Sequence, residues 1–406
     1  MNHIFLLFLI IPSYLFAQWT PVSSLPPNFQ TDHSFGFSIN NTGYLVSGGR
    51  TNLYGNTTYY DKFFSYNPTT DIWTEESIFP GGKRGFAIGD VWDDKAYFGF
   101  GIKIDITTGE EVYLNDLWVF DPTTTLWTEL SSCPCSARSH PAFVAHNGKI
   151  YVGMGSYALG DLNDWWEYDI ASDTWTQKND FPSHERHHPY QFAVGDFVYT
   201  GFGHGSIAPD VYDTWYRFDP INNEWIEVQN IPGQARVAGT QFSHNNFGYV
   251  LSGDGANHDS MSDGEFWQYN PDTDSWAQFP SHPGGSRWAP ASFIIEDEVY
   301  IINGSSFGIY QSEVYKYDLN AEPPVGVSNW TQDVEILPNP FQTEINLLFE
   351  PSKNTTIHIT NAIGKTVYKS TYSEKNIDLS HLEQGVYFIE IQTGAKHILT
   401  KKLIKA

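Results

Sequence analysis

The stretch that decides the fold runs from residue 137 to residue 182, ARSHPAFVAHNGKIYVGMGSYALGDLNDWWEYDIASDTWTQKNDFP. It contains four short apolar runs, at 141–146, 149–153, 165–170 and 174–178. Asn147-Gly148 joins the first two runs and favours the tight turn of a β-hairpin. Versions of the unit recur about every fifty residues along the chain. That period predicts the blades of a β-propeller.

Aromatic residues mark each copy of the unit. Every complete copy has a pair of aromatic residues, and another aromatic residue stands two positions before the first member of the pair. The alternate positions are apolar too, so both faces of the strand are buried between sheets. The aromatic stripe is therefore predicted to be core, not a platform for ligands. The pairs have one spacing of seven residues: Tyr66 and Trp73, Phe120 and Trp127, Tyr168 and Trp175, Phe218 and Trp225, Tyr269 and Trp276.

The sixth copy is incomplete. Its Tyr317 has Pro324 seven residues later instead of a Trp, whereas Trp19 near the start lies in a segment that matches the missing strand. We therefore expect six blades, closed by pairing of the N-terminal strand with the last blade, because closure removes exposed sheet edges. A second segment that could close the ring is 329–331.

Glycines end the second strand of every copy, as Gly153 and Gly155 do, and permit positive φ and close approach of the next blade. With these glycines and the following Tyr and Trp, the chain resembles the kelch family. Only the first copy keeps two adjacent glycines. The resemblance implies an all-β fold, a six-bladed kelch-like propeller over residues 18–322, with long loops on the face that binds ligands in such propellers.

The last part of the chain has a different composition. Residues 323–333 are predicted to be a linker, and 334–406 to form a small β-sandwich from short strands at 344–349, 356–360, 366–370, 385–391 and 397–403. The motifs Pro-Asn-Pro-Phe at 338–341 and Lys-Lys-Leu-Ile-Lys at 401–405 resemble those of the C-terminal sorting domain of the type IX secretion system of Bacteroidota. That resemblance implies the secretion machinery as a partner, followed by release or attachment at the cell surface.

Composition limits the other partners. The net charge of −25 disfavours nucleic acid and anionic membranes. Residues 4–16 form an apolar run too short to span a bilayer, so residues 1–17 are predicted to be a signal peptide and no transmembrane segment is expected. Cys133 and Cys135 are the two cysteines; a local disulfide and two surface thiols both fit, and neither predicts catalysis.

Five of the seven arginines occupy one repeat position just before the innermost strand, and His33 is predicted to occupy that position in the first copy. Two interpretations stay open. Each Arg could be bonded to carbonyls or to a carboxylate of its own or the next blade, or some could join nearby aromatic and histidine residues in a site for an anionic or sugar ligand. The candidate site residues are Arg84, Arg138, His140, Arg186, His187, His188, His204, Arg236, Arg287 and Trp288.

Metal binding is not predicted. His187 and His188 are adjacent, so on a strand they would point to opposite faces. The acidic loop at 254–265 could hold calcium but does not have the spacing of an EF-hand, and no cofactor is expected.

Two functions follow from these features. The first is an exported binding module that recognises a glycan or protein with its long-loop face. The second is a secreted sugar-processing enzyme resembling kelch-fold sialic acid mutarotases, with Arg and His at the channel mouth acting as acid and base. Fold alone does not choose between them.

Overall fold

The computed structural model describes residues 19–26, 29–52, 54–208, 210–320, 336–347, 355–361, 365–371, 376–393 and 396–405. The chain divides into two compact units, Met1–Pro323 and Pro324–Ala406. The predicted signal peptide, the predicted linker and the alternative closing segment 329–331 lie outside the described residues. Within the described residues, no helix is both long and apolar enough to cross a bilayer.

The first unit contains six four-stranded antiparallel sheets among its described residues. The last sheet takes its outermost strand, Thr20–Val22, from the start of the chain, where Thr20 is paired with Lys316. From the innermost strand outward, the sheets are Phe35–Ile39, Thr42–Val46, Phe63–Asn67 and Ile72–Glu75; Ile88–Trp92, Lys95–Gly99, Leu117–Asp121 and Leu126–Leu130; Ala142–His146, Lys149–Gly153, Trp165–Asp169 and Thr174–Lys178; Tyr190–Val194, Phe197–Gly201, Trp215–Asp219 and Glu224–Val228; Thr240–His244, Phe247–Leu251, Gly264–Asn270 and Ser275–His282; and Ala291–Ile295, Glu298–Ile302, Val314–Asp318 and Thr20–Val22.

The innermost strands form a ring. Each contacts the innermost strand of the next sheet, and Phe35–Ile39 of the first sheet contacts Ala291–Ile295 of the last. Because the four strands of each sheet alternate in direction, every innermost strand begins at the same end of the ring. The loops between second and third strands and the connections from one sheet to the next lie at that end too. The strands therefore surround a central channel with one mouth framed by the long loops.

The aromatic pairs at the seven-residue spacing lie directly opposite each other on the third and fourth strands, as Tyr168 and Trp175 do. The indole N–H of Trp175 donates to the carbonyl oxygen of Ser131 in the preceding sheet at 2.8 Å. Trp19 has the same environment in the last sheet, because its ring lies 5.2 Å from that of Tyr317. Its N–H donates to the carbonyl oxygen of Pro280 at 2.8 Å.

Four of the long loops contain a short hairpin, and a fifth contains a 3-10 turn at Ala256–His258, among the described residues. Cys133 and Cys135 form a disulfide and are buried, so of the two alternatives left open by the sequence the structure has the local disulfide. The hairpin strands are Gly49–Thr51 and Thr57–Tyr59, Ile102–Ile104 and Glu111–Tyr113, Ser156–Tyr157 and Gly160–Asp161, and Ser305–Ser306 and Ile309–Tyr310.

The second unit contains a three-stranded and a four-stranded antiparallel sheet in its described parts. Phe341, Ile345 and Ile389 are fully buried in a core that residues of both sheets share. The three-stranded sheet consists of Ile336–Leu337, Glu344–Leu347 and Asn376–Asp378. The four-stranded sheet has the order Thr366–Thr371, Thr355–Asn361, Gly385–Thr393 and Lys396–Lys405.

Candidate functional site

The five arginines of the repeat are buried beside their own sheets. Four of the arginines make the same contact: Nη1 donates a hydrogen bond to the backbone carbonyl oxygen sixteen residues further along the chain. In Arg138 this bond, to the carbonyl of Met154, is 2.9 Å long. Carboxylates neutralise three of them, in the pairs Arg84–Asp116, Arg138–Asp164 and Arg236–Glu265.

The other two arginines bond to neutral oxygens. Arg186 donates to the carbonyl of Phe202 at 3.0 Å and to the Thr214 hydroxyl at 3.2 Å, and Arg287 donates to the carbonyls of Asn303 and Glu313. Burial lowers the pKa of both guanidinium groups to about 10, so they stay charged at neutral pH. These contacts favour the interpretation in which the arginines hold the blades together.

The placement of His33 at the arginine position is wrong. The N–H of Gly155 donates to the carbonyl of Arg186 in the next sheet, and the N–H of Gly304 donates in the same way to Thr31. Thr31 therefore replaces arginine in the first sheet, and His33 lies two residues further along, at the position of His140. The first copy lacks the arginine that marks this position in the other five copies, so the sequence alone does not align it there.

The position of His33 forms a collar around the channel mouth, occupied by His33, Phe86, His140, His188, Ala238 and Ala289. All six residues have left-handed backbone conformations, with φ between 44° and 61°. The backbone N–H of His188 donates to the carbonyl oxygen of His140 at 3.1 Å, and His140 donates to Phe86 at the same distance. The left-handed conformation turns this residue out of the strand and lets it bond to the neighbouring sheet.

Imidazoles gather on this collar. Nε2 of His33 lies 2.9 Å from Nε2 of His188, and Nδ1 of His188 lies 3.2 Å from Nε2 of His204. Nδ1 of His204 lies 3.1 Å from Nε2 of His258, which is exposed. His140 packs against His188, with ring centroids 3.6 Å apart and the ring planes tilted by 42°. A chain of histidines thus connects the surface of the long loops to the collar.

Carboxylates lie beside the rings of two histidines at the mouth, His33 and His187. Nδ1 of His33 lies 2.8 Å from Asp32, and Nδ1 of His187 lies 2.7 Å from Asp161. Burial, followed by the nearby imidazoles, lowers the pKa of His140 and His188 well below the usual range of histidine. The same causes lower the pKa of His204 to about 2. These three rings are therefore neutral at physiological pH.

His187 and His188 both face the cluster. His188 has φ of 52°, so the alternation of an extended strand does not apply to this pair, and the rings lie 5.1 Å apart. The expectation that they point to opposite faces is wrong for this reason. Trp288 lies against the cluster too, with its ring 5.2 Å from that of His188.

Below the collar, the channel contains a cavity of about 530 Å³ lined by His33, His140, His188 and the innermost strands. Gln191 lines it, and its buried Oε1 has no hydrogen-bond partner among the described residues. Asp90 also lines the cavity and accepts hydrogen bonds from the N–H groups of Val91 and Ala145, each at 2.8 Å. Burial raises the pKa of Asp90 to about 6.

The acidic loop at 254–265 does not gather its oxygens around one point. Asp254 is buried and accepts a hydrogen bond from Ser286 at 2.8 Å, while Glu265 pairs with Arg236 and with the indole of Trp267. Both carboxylates therefore already have partners within the protein.

The structure brings together one part of the predicted site. His140, His187, His188, His204 and Trp288 converge at the mouth, while the arginines remain inside the blades. Sequence reasoning missed His258, Phe86 and Asp90, and it misaligned His33. Aligning the six copies on the first residue of the inner strand, and not on the arginine, would have put His33, His140 and His188 in one column.

Two family models match the chain. Residues 107–247 match the KLHDC2/KLHL20/DRC7 Kelch-repeats domain, and residues 335–406 match the secretion system C-terminal sorting domain. The chain thus contains a kelch-repeat β-propeller domain followed by a secretion-sorting domain. Because the sorting domain is an export signal, it implies that the secretion machinery is a partner of this chain.

Two known proteins are similar to the propeller. N-acetylneuraminate epimerase of Pasteurella multocida (strain Pm70) is 31% identical over 115 residues, which are 26% of this chain and 30% of that relative. The chain therefore spans less than a third of the relative's length. The solved structure titled "Structure of YjhT" superimposes with a TM-score of 0.58 at 17% identity and covers 72% of this chain and 95% of that one. This second likeness shows the fold alone.

Proposed function

We propose that this protein is exported by the type IX pathway, to the cell surface or the medium, and acts there as a binding module. The propeller has six blades, closed by Thr20–Val22, and its long-loop face is the binding surface. The tail, a small β-sandwich, is the sorting signal. The observation that carries the proposal is the apolar character of the loop tips.

Large apolar side chains are exposed at the tips of five of the six long loops among the described residues: Tyr54, Ile106, Leu159, Ile207 and Phe307. Ile106 is 100% exposed and Leu159 is 85% exposed. Exposed apolar residues that share one face mark interaction surfaces, because burying them in a complex removes apolar area from water. The short hairpins hold several of these tips in place, so little conformational entropy is lost on binding.

A protein ligand fits these tips better than a glycan. Three of the five tips are aliphatic, and an aliphatic side chain offers no flat ring on which a sugar could stack. Protein interfaces bury such side chains in an apolar centre surrounded by polar residues. The acidic surface favours a ligand with a basic face.

Two defined probes test the proposal on the purified full chain: a random-peptide phage library and a glycan array. We expect the library to yield peptides whose affinity falls roughly tenfold or more in the variant Ile106→Asn, Leu159→Asn, Phe307→Asn, since hot-spot losses exceed about 1.4 kcal/mol. The matched control, Leu126→Asn with Ile221→Asn, changes two exposed residues at the opposite end, Leu126 at the start of an outermost strand and Ile221 in a turn. Peptides that bind the triple variant equally well, or binding to glycans alone, would overturn the proposal.

A second candidate function is sugar processing within the channel. Two observations favour it: the similarity to N-acetylneuraminate epimerase, and Asp90, whose raised pKa suits proton transfer near neutral pH. NMR exchange spectroscopy with N-acetylneuraminate as the probe would show interconversion of epimers if this function is correct. The rate should fall roughly a hundredfold or more in Asp90→Asn, and no exchange above the buffer rate would rule the function out.

A further inference from the structure

We propose that His33, His140 and His188 bind one divalent transition-metal ion on the axis of the propeller, at the long-loop end of the channel. The proposal is independent of the binding function above. It rests on the convergence of three imidazoles from three different sheets, on the partners of their ring nitrogens, and on one buried nitrogen that lacks a partner.

The repeat produces the convergence. The three histidines occupy the same position of the first, third and fourth sheets, and each has φ of 52°. Equivalent positions around a ring point toward its axis, so the three side chains meet there. One nitrogen from each ring lies within 4.8 Å of the other two.

The outer partners leave Nε2 as the ligand atom of two rings. The Asp32 carboxylate only accepts hydrogen bonds, so Nδ1 of His33 carries a proton, and Nε2 of His33 faces Nε2 of His188. Nδ1 of His140 is held by the Ser139 hydroxyl at 3.1 Å. Nε2 of His140 is buried and has no hydrogen-bond partner among the described residues. An unpartnered buried nitrogen directed into a cluster of imidazoles is what a metal ion would satisfy.

His188 supplies the third ligand by a change of tautomer. Its Nε2 lies 2.9 Å from Nε2 of His33, whereas two nitrogens bound to a tetrahedral Zn²⁺ lie about 3.3 Å apart. A shift of a few tenths of an ångström therefore admits the ion. The proton of His188 then resides on Nδ1 and is donated to Nε2 of His204, 3.2 Å away. His204 and His258 can change tautomer in the same way, so every ring keeps one proton and stays neutral.

Electrostatics supports this arrangement. Asp32 places a negative charge next to His33, and the net charge of −25 attracts cations to the protein. Three neutral nitrogen ligands suit Zn²⁺, Cu²⁺, Ni²⁺ or Co²⁺ and do not suit Ca²⁺ or Mg²⁺.

Two of the other three collar residues are alanines, Ala238 and Ala289, and both line the same cavity as the three histidines. Three protein ligands with a free fourth position are the arrangement found in zinc sites that bind water or substrate. His187, His188 and His204 form an alternative group with the same spacing; there Nδ1 of His187 lies 2.7 Å from a carboxylate oxygen of Asp161 without hydrogen-bond geometry, and Nδ1 of His204 lies 3.1 Å from Nε2 of His258.

The test uses the untagged full chain after removal of metals with a chelator. Isothermal titration calorimetry with Zn²⁺ should give one site, and Co²⁺ should produce the visible absorption bands of a tetrahedral complex. His140→Phe is the diagnostic variant, because Phe86 already occupies the equivalent position, so the collar tolerates it. We expect this variant to bind Zn²⁺ roughly a hundredfold more weakly and to lose the Co²⁺ bands.

Two further variants complete the design. His244→Ala removes a histidine paired with Asp297 outside the cluster and should bind Zn²⁺ like the wild type. His204→Ala should reduce affinity by less than His140→Phe does. Absence of Zn²⁺ binding by the wild type would overturn the proposal. So would binding that survives His140→Phe but is lost in His204→Ala, since that result would assign the ion to the alternative group.

Discussion

Two positions of the repeat, only two residues apart, behave in opposite ways. The first carries Arg in five of the six sheets, and each guanidinium is buried against oxygens of the protein. The second position carries His, Phe, His, His, Ala and Ala, and its side chains line the channel mouth. The first position is nearly uniform, with Thr31 as the exception, because in five blades the guanidinium bonds to oxygens of the protein. The second is free of that demand and can differ from blade to blade.

This difference teaches where to look for function in a repeat protein. A residue type that recurs in every copy performs a task that every copy shares, which is to hold the fold together. Function is found where the copies differ at one position of a rigid frame. Asp90 is a second example, because the equivalent residues of the other sheets are Phe37, Val144, Phe192, Phe242 and Phe293.

The largest effect is expected at the arginine position. Arg138→Met leaves Asp164 without its ion-pair partner and the carbonyl of Met154 without this donor. Removing one partner of such a pair should lower the free energy of unfolding by about 3 kcal/mol, measured by urea denaturation. The control is Arg50→Met, which removes a guanidinium stacked on Tyr310 in a long loop and should cost about 1 kcal/mol or less. Equal effects of the two variants would contradict the structural role of the repeat arginines.

Asp90 should give a pH-dependent effect of similar or smaller size. Burial raises its pKa from the ordinary value of 3.8 to about 6 in the folded protein, so between those values the unfolded chain loses its proton first. The contribution of Asp90 to the free energy of unfolding should therefore decline as pH rises through this window, by about 2–3 kcal/mol. Asp90→Asn removes the titrating group, so its unfolding free energy relative to wild type should increase from pH 4 to pH 7. A difference that stays constant with pH would contradict the assignment.

The sequence predicted the repeat well and the site only in part. The seven-residue spacing of Tyr168 and Trp175 predicts a cross-strand pair because the six intervening positions of strand and turn bring the two rings opposite each other, and the structure confirms this. The left-handed conformation of His188 has no sequence signal, since αL histidines are uncommon. An extended chain would place His187 and His188 on opposite faces, so the sequence did not predict the histidine cluster. The contacts of the arginines could not be predicted from the sequence, because the same residues are compatible with both interpretations.

Gly155 tests how the collar is supported by the backbone. It has φ of 94°, and a Cβ atom there would lie 2.7 Å from the carbonyl oxygen of Ser139. Gly155→Ala should therefore cost about 2 kcal/mol of unfolding free energy, from backbone strain and displacement of the strand that leads to His140. Gly148→Ala is the matched control, because φ is 73° but nothing lies within 4 Å of the added atom; strain alone should cost about 1 kcal/mol. If the two variants are equally stable, the close approach at Gly155 does not matter.

The smallest effect on stability is expected at the histidine position itself. His140→Phe should change the unfolding free energy by less than about 1 kcal/mol in the absence of metal, because Phe is accommodated at the same position of the second sheet. Urea denaturation of the metal-free protein measures this change. Compared with Arg138→Met, two residues away, the variant separates the two tasks of the repeat: one residue supports the fold, and the other is free to serve the site. A loss as large as that of Arg138→Met would show that the histidines are also structural, and the contrast between the two positions would disappear.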